Sequence, residues 1–138
     1  MISRGGGFEA GTVVIDERFD ASTLHLLREQ VAACASVAGM PDDRAVDVML
    51  AVHELAANAV RHGAGAGRLL IRAADSILYC QVSDVGPGEG PWPVRPGHGL
   101  WLVHEIADEF TVSWGPHGSQ VTATFRRQEP GHPGAQAT

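Results

Sequence analysis

Glu54, Asn58 and His62 recur at intervals of four in an otherwise apolar stretch. At 3.6 residues per turn they share one face of a helix, drifting by about 80° from first to last. A carboxylate and an amide one turn apart can divide two tasks: the amide oxygen ligates a hydrated hard cation such as Mg²⁺, and the carboxylate orients or deprotonates a nucleophile. The plainer alternative is that the pair marks the solvent edge of an amphipathic helix. His53-Glu54 also begins a HExxH-like string, but Ala57 stands where the second histidine is needed, which removes a zinc-protease reading. His25, His98, His104, His117 and His132 have no ligand spacing.

Two glycine strings follow, Asp84-Val85-Gly86-Pro87-Gly88 and Gly97-His98-Gly99. The second opens a helix, where free N–H groups and the positive end of the dipole favour a phosphate and missing Cβ atoms let the backbone approach it. Either string alone is as well explained by a glycine turn.

The elements that position these residues follow from periodicity. Val13, Ile15 and Phe19 predict a half-buried edge strand over 12–19. Asp20 is placed to cap a helix whose Leu24, Leu27, Val31, Cys34 and Ala38 fall at helical spacing, stopped by Gly39 and Pro41. Asp42 or Asp43 is expected to cap a second helix of about twenty residues. Val46, Leu50, Val52, Leu55, Ala59 and Val60 make it apolar almost all round, which predicts an interior helix. After a glycine turn at 63–67, strands are expected at 68–74 and 77–84, joined around Asp75-Ser76. Residues 85–97 are too rich in proline and glycine for helix or sheet. A short helix then carries Leu100, Leu102, Val103, Ile106 and Ala107, and strands at 110–114 and 119–126 complete a β-α-α-β-β-loop-α-β-β order. Hairpin-linked strands put the helices on one face of a mostly antiparallel mixed sheet, an α+β two-layer sandwich. Residues 1–11 read as a flexible N-terminus, 12–126 as the domain and 127–138 as a solvated tail.

Composition sets bounds. The 138 residues suit one domain, with 44% apolar and 19% charged residues. All ten basic residues are arginine, which excludes a P-loop lysine and a Schiff-base lysine together. The net charge of −6 argues against a nucleic-acid partner, and no apolar run is long enough for a membrane span. Cys34 and Cys80, outside any CxxC spacing, read as buried free thiols, and with no signal peptide a cytoplasmic location is expected. Trp92, flanked by Pro91 and Pro93, is a candidate partner contact.

Strand parity is the informative step. In 77–84 the inward set is Leu78, Cys80, Val82 and, by the same alternation, Asp84; in 119–126 Ser119 falls on the inward side with Val121, Ala123 and Phe125. An acid aimed at a helical layer needs a hydrogen-bond donor, and a ligand amino group would supply it. Asp84, Ser119, the Glu54/Asn58 stripe and the glycine-led helix start outline a cavity with an amine acceptor at one end and a phosphate cradle at the other. Those are the requirements of an ATP site without a P-loop.

The motifs resemble those of the gyrase, chaperone, histidine-kinase and MutL (GHKL) ATPase superfamily. Residues 53–62, HELAANAVRH, resemble its N-box, 84–88 its adenine-binding G1 box, Gly97-His98-Gly99-Leu100 its G2 box, and Gly118-Ser119 its last Gly-Thr. The sequence is most similar to the small bacterial anti-sigma-factor serine/threonine kinases and their actinobacterial ATP-binding cousins. The resemblance implies the Bergerat fold. It implies that Asp84 accepts the adenine amino group with Ser119 in support, that Gly86 and Gly88 make room beneath the base, and that Asn58 binds Mg²⁺. It further implies phosphate binding at Gly97, Gly99 and Leu100, Glu54 as base toward a protein serine, and Arg95 stabilising the transferring phosphoryl group. The implied partners are an anti-sigma-factor antagonist or a sigma factor, and the kinase relatives imply a homodimer. The alternative is a module that holds ATP as a switch ligand and regulates its partner by binding alone; both bind MgATP, and they part at Glu54 and Arg95.

Overall fold

Apolar alternation at period two generates five strands and apolar recurrence near period 3.6 generates three helices. In chain order they are β1 (Thr12–Asp20), α1 (Leu24–Val37), α2 (Asp42–His62), β2 (Ala66–Ala74), β3 (Ile77–Ser83), α3 (Gly99–Ile106), β4 (Glu109–Gly115) and β5 (Gly118–Arg126). The computed structural model describes residues 11–62, 65–84, 99–116 and 118–127. The strands form one sheet in the order β1-β2-β3-β5-β4, and all four ladders are antiparallel, where a mostly antiparallel mixed sheet was expected. β1 is an edge strand, as its half-apolar alternation predicts. The β2–β3 hairpin turns at Asp75-Ser76, with Asp75 in the left-handed region (φ 51°).

All three helices pack on one face. α2 crosses β2, β3 and β5, α1 lies over β1, and α3 lies between α2 and β4. Leu69, Ile71, Leu78, Cys80, Val82, Val121, Ala123 and Phe125 fill the sheet side of the core, and Val48, Val52, Leu55 and Leu100 answer from the helices. On the opposite face Arg68 forks onto both carboxylate oxygens of Asp16, at 2.7 and 2.8 Å, fastening the edge strand to its neighbour. Thr124, expected to face out by parity, does so and is nevertheless buried.

Several helix boundaries differ from expectation. Asp20 does not cap α1: its Oδ1 accepts from the Ser22 N–H and hydroxyl in a turn before the helix, and Thr23 holds the cap position with its hydroxyl on the Asp20 backbone rather than on the helix N–H groups. The other end behaves as expected. Gly39 N–H donates to Ser36 O and Met40 N–H to Ala35 O, the paired bonds of a Schellman closure, and Met40 is buried beneath it. Pro41 O accepts the first intrahelical bond of α2, from Ala45 N–H, so Asp42 and Asp43 occupy the first turn rather than the cap. There they still complement the helix dipole. α2 is also not apolar all round. Val46 (49% exposed) and Leu50 (37%) face solvent, while Val48, Ala51, Val52, Leu55, Ala56 and Ala59 face the core. Arg127, assigned to the tail, donates its N–H to Ser76 O at 2.5 Å and so extends the order past β5. The rest of the tail and residues 1–10 lie outside the described residues.

Cys34 is half-buried rather than buried, and Cys80 is fully enclosed; burial raises both thiols above the usual cysteine range. Among the described residues no helix is long and apolar enough to cross a membrane.

The inward and outward faces of α2 are distinguishable by mutation. Leu55→Ala should cost about 2–5 kcal/mol in urea unfolding. Leu50→Gln should stay within about 0.5 kcal/mol, and a larger loss would contradict the exposed placement. In the folded protein at pH 8, an alkylating reagent followed by mass spectrometry should modify Cys34 slowly and Cys80 only after denaturation, because the raised thiols hold little thiolate.

Candidate functional site

The site is assembled at the end of the sheet where β3 finishes, β2 and β5 begin, and α2 ends. Asp84 follows the last residue of β3 and Ser119 is the second residue of β5; the register Ser83–Gln120 between these neighbours sets the two side by side. They are joined reciprocally. Asp84 N–H donates to Ser119 O at 3.0 Å, and Ser119 N–H donates to Asp84 Oδ1 at 2.9 Å. Both residues are 5% exposed, so the inward parity read from the sequence holds.

The second carboxylate oxygen, Asp84 Oδ2, is buried and receives no donor from the described residues. Leaving a buried acceptor unpaired costs about 1–3 kcal/mol, and a ligand N–H at this point would remove that cost. The contact of Ser119 with Asp84 is made by its backbone N–H. Gly118 explains how the strands come so close. Its φ of 133° is one L side chains rarely adopt, and a Cβ there would run into the carbonyl oxygen of Asp84. On the β1 side of Asp84 lies a cavity of about 520 Å³ bounded by Phe19, Gly67, Ser83 and Thr23, none of which the sequence marked as a site residue.

The second part of the site stands on the helices. Asn58 is 2% exposed, and its Nδ2 donates to Glu54 O at 2.8 Å, the bond of one helical turn. With the amide nitrogen thus engaged, Oδ1 is left as the available end, an oxygen suited to a hard cation. Glu54 and Asn58 are not a solvent edge: the first turn of α3 is packed on them. A Cβ on Gly99 would overlap Glu54 Oε1 and lie 3.1 Å from Asn58 Nδ2, so a larger residue there would force the Glu54 side chain to shift. His62 continues the stripe at the last turn of α2. Leu100 is wholly buried in the core, where it anchors the start of α3. Gly86, Gly88, Arg95 and Gly97, together with Trp92, lie outside the described residues. His53, on the flank of α2 away from Asn58, keeps a buried Nδ1 without a partner among the described residues. Trp101 stacks on His104 at 5.8 Å on the outer side of α3.

Among the described residues no three histidine, cysteine or acidic side chains converge in a metal cluster. A cation held by one protein oxygen, with the rest of its shell from ligand and water, is the habit of Mg²⁺ at phosphates. The orphaned acid at one end and the glycine-lined approach beside Asn58 at the other therefore fit a magnesium nucleotide.

The model of the histidine kinase-like ATPase domain family matches residues 18–125. Among solved structures, the chain resembles the RsbU and RsbW domains of Rv1364c from Mycobacterium tuberculosis with a TM-score of 0.66 and 20% identity, covering 85% of this chain and 33% of that one. This chain thus spans about a third of the length of that protein structure. The histidine kinase domain of the E. coli osmosensor EnvZ matches at a TM-score of 0.47 and 14% identity, covering 88% of this chain and 94% of that one. No curated protein sequence matches.

The Gly118 geometry is testable by itself. Gly118→Ala should destabilise the fold by about 1–3 kcal/mol in thermal or chemical unfolding, from the strained φ and the collision with Asp84 O. Wild-type stability in that variant would show that this strand approach is looser than described.

Proposed function

The chain belongs to the histidine kinase-like ATPase domain family, within the GHKL superfamily, and on that premise we propose that it binds MgATP and transfers the γ-phosphoryl group to a serine of a partner protein. The observation that carries the nucleotide assignment is the buried Oδ2 of Asp84, which receives no donor among the described residues. A purine amino group is a donor of the right kind, and Ser119 N–H fixes the carboxylate so that the free oxygen points one way. Asn58 Oδ1 would hold Mg²⁺, which when bound neutralises charge on the phosphate oxygens. Gly99, with Gly97 before it, would offer backbone N–H groups to the phosphates.

Glu54 is the base in this reading. It takes the proton of the serine hydroxyl as the serine oxygen bonds to the γ-phosphorus and the bond to the ADP oxygen breaks, leaving phosphoserine and ADP. Arg95 supplies positive charge to the transferring group. The closeness of the Glu54 carboxylate to Gly99 supports a role for Glu54 at the phosphate end of the site. The partner class follows from the likeness to a structure containing an RsbW domain and from the motif resemblance to anti-sigma-factor kinases: an antagonist protein that carries the serine, and a sigma factor held when the antagonist is absent. A homodimer is part of the same proposal.

Asp84→Asn replaces one oxygen by a donor and should abolish ATP binding in calorimetry; unchanged affinity would refute the adenine assignment. Glu54→Gln should bind MgATP with near wild-type affinity while labelling of a candidate antagonist by radioactive ATP falls by at least about 100-fold. If Glu54→Gln still labels its substrate, Glu54 is not the base. If the wild-type protein binds MgATP and labels no antagonist, it regulates by binding alone.

A further inference from the structure

α2 and α3 run antiparallel and touch at both ends. At one end the first turn of α3 presses on Glu54 and Asn58 through Gly99. At the other end, ten residues or about 15 Å earlier along α2, the side chain of Arg44 reaches across to the last turn of α3. Its Nη1 donates to Ile106 O at 2.8 Å, a terminal carbonyl with no partner inside the helix, and to Asp47 Oδ2 at 2.9 Å. Its Nη2 donates to Asp108 Oδ2 at 2.5 Å. Asp108 Oδ2 also accepts from Arg126 N–H at 2.7 Å, and the guanidinium sits 5.0 Å from the centre of the Phe125 ring. One planar fork thus ties the start of α2, the end of α3 and the C-terminal part of β5 together.

We propose that Arg44 is a positioning residue for the phosphate end of the nucleotide site: by holding the C-terminus of α3 it sets where Gly99 lies against Glu54 and Asn58. α3 is only eight residues long, so a displacement at Ile106 is carried to Gly99 with little room for the helix to absorb it. The base end is insulated. Asp84 and Ser119 are held by the β3–β5 ladder, and the Arg44 fork meets β5 at its opposite end, by Phe125. Loss of the fork therefore weakens phosphate recognition and spares base recognition. A residue that only contributed stability would lower both together.

The inference rests on the nucleotide reading, and one pair of titrations separates the two. ATP, and adenosine, which offers the base and ribose without phosphates, are titrated with Mg²⁺ present into the wild-type protein, Arg44→Met and Arg44→Lys, with thermal unfolding recorded for each. Met keeps the stem; Lys keeps the charge, but its single nitrogen cannot serve Ile106 O, Asp47 and Asp108 at once. Both variants should lose about tenfold in ATP affinity, with adenosine affinity within about twofold of wild type. Equal weakening of both ligands, or no change in either, overturns the role of Arg44. Failure of the wild-type protein to bind either ligand overturns the nucleotide reading instead. Should Arg44→Met not fold, Asp108→Asn weakens the same fork from the other side and must lower the ratio of ATP to adenosine affinity in the same direction.

Discussion

A buried carboxylate oxygen that receives no donor among the described residues is the constraint on which the candidate site turns. Asp84 cannot relieve it by rotating, because Oδ1 is bound to Ser119 N–H and the Asp84 backbone is bound to Ser119 O. Nor can the chain move the residue out, since Asp84 ends a strand flanked on both sides by hydrogen-bonded neighbours. The cost of the unpaired acceptor is borne by the apolar core beneath α2. A site that keeps one unpaired group under such restraint is prepared for a ligand with a complementary donor, and the restraint makes the donor's position specific.

The part of this arrangement that was legible in the sequence is the part governed by strand period. Alternation in 77–84 and 119–126 brings Asp84 and Ser119 inward without knowledge of the topology, and both are buried. The element order and the single helical face also follow from local signals. What escaped depends on tertiary context. Val46 and Leu50 are as apolar as Val48 and Val52, and only the placement of α1 and the sheet decides which of them meets the core. The cap positions failed for a related reason: Asp20 and Asp42 are good capping residues, but Thr23 and Pro41 have the backbone geometry that starts each helix. Gly118 carries no signal beyond being a glycine after a turn. Its need for φ 133° exists only because Asp84 O lies where a Cβ would be.

The Glu54/Asn58 pair shows how one tertiary contact resolves an ambiguity that spacing leaves open. A polar stripe at i, i+4 is compatible with a solvent edge or with a site. The 2% exposure of Asn58 and the approach of Gly99 turn Asn58 away from solvent, while Glu54 keeps part of its side chain accessible beside it. The bond from Asn58 Nδ2 to Glu54 O then matters chemically: it engages the donor half of the amide and leaves the acceptor half as the end that can take a cation.

The two ends of the site have different mechanical origins. The base end belongs to the sheet, where Asp84 and Ser119 are fixed by a ladder whose register cannot slip by one residue without turning every core side chain outward. The phosphate end belongs to a pair of helices whose relative position is set by side chains, among them Arg44 and the packed Leu100 and Val103. Helix pairs can slide by small amounts that a register cannot. In the proposed reading, recognition of the base therefore rests on the rigid layer and recognition of the phosphates on the adjustable one.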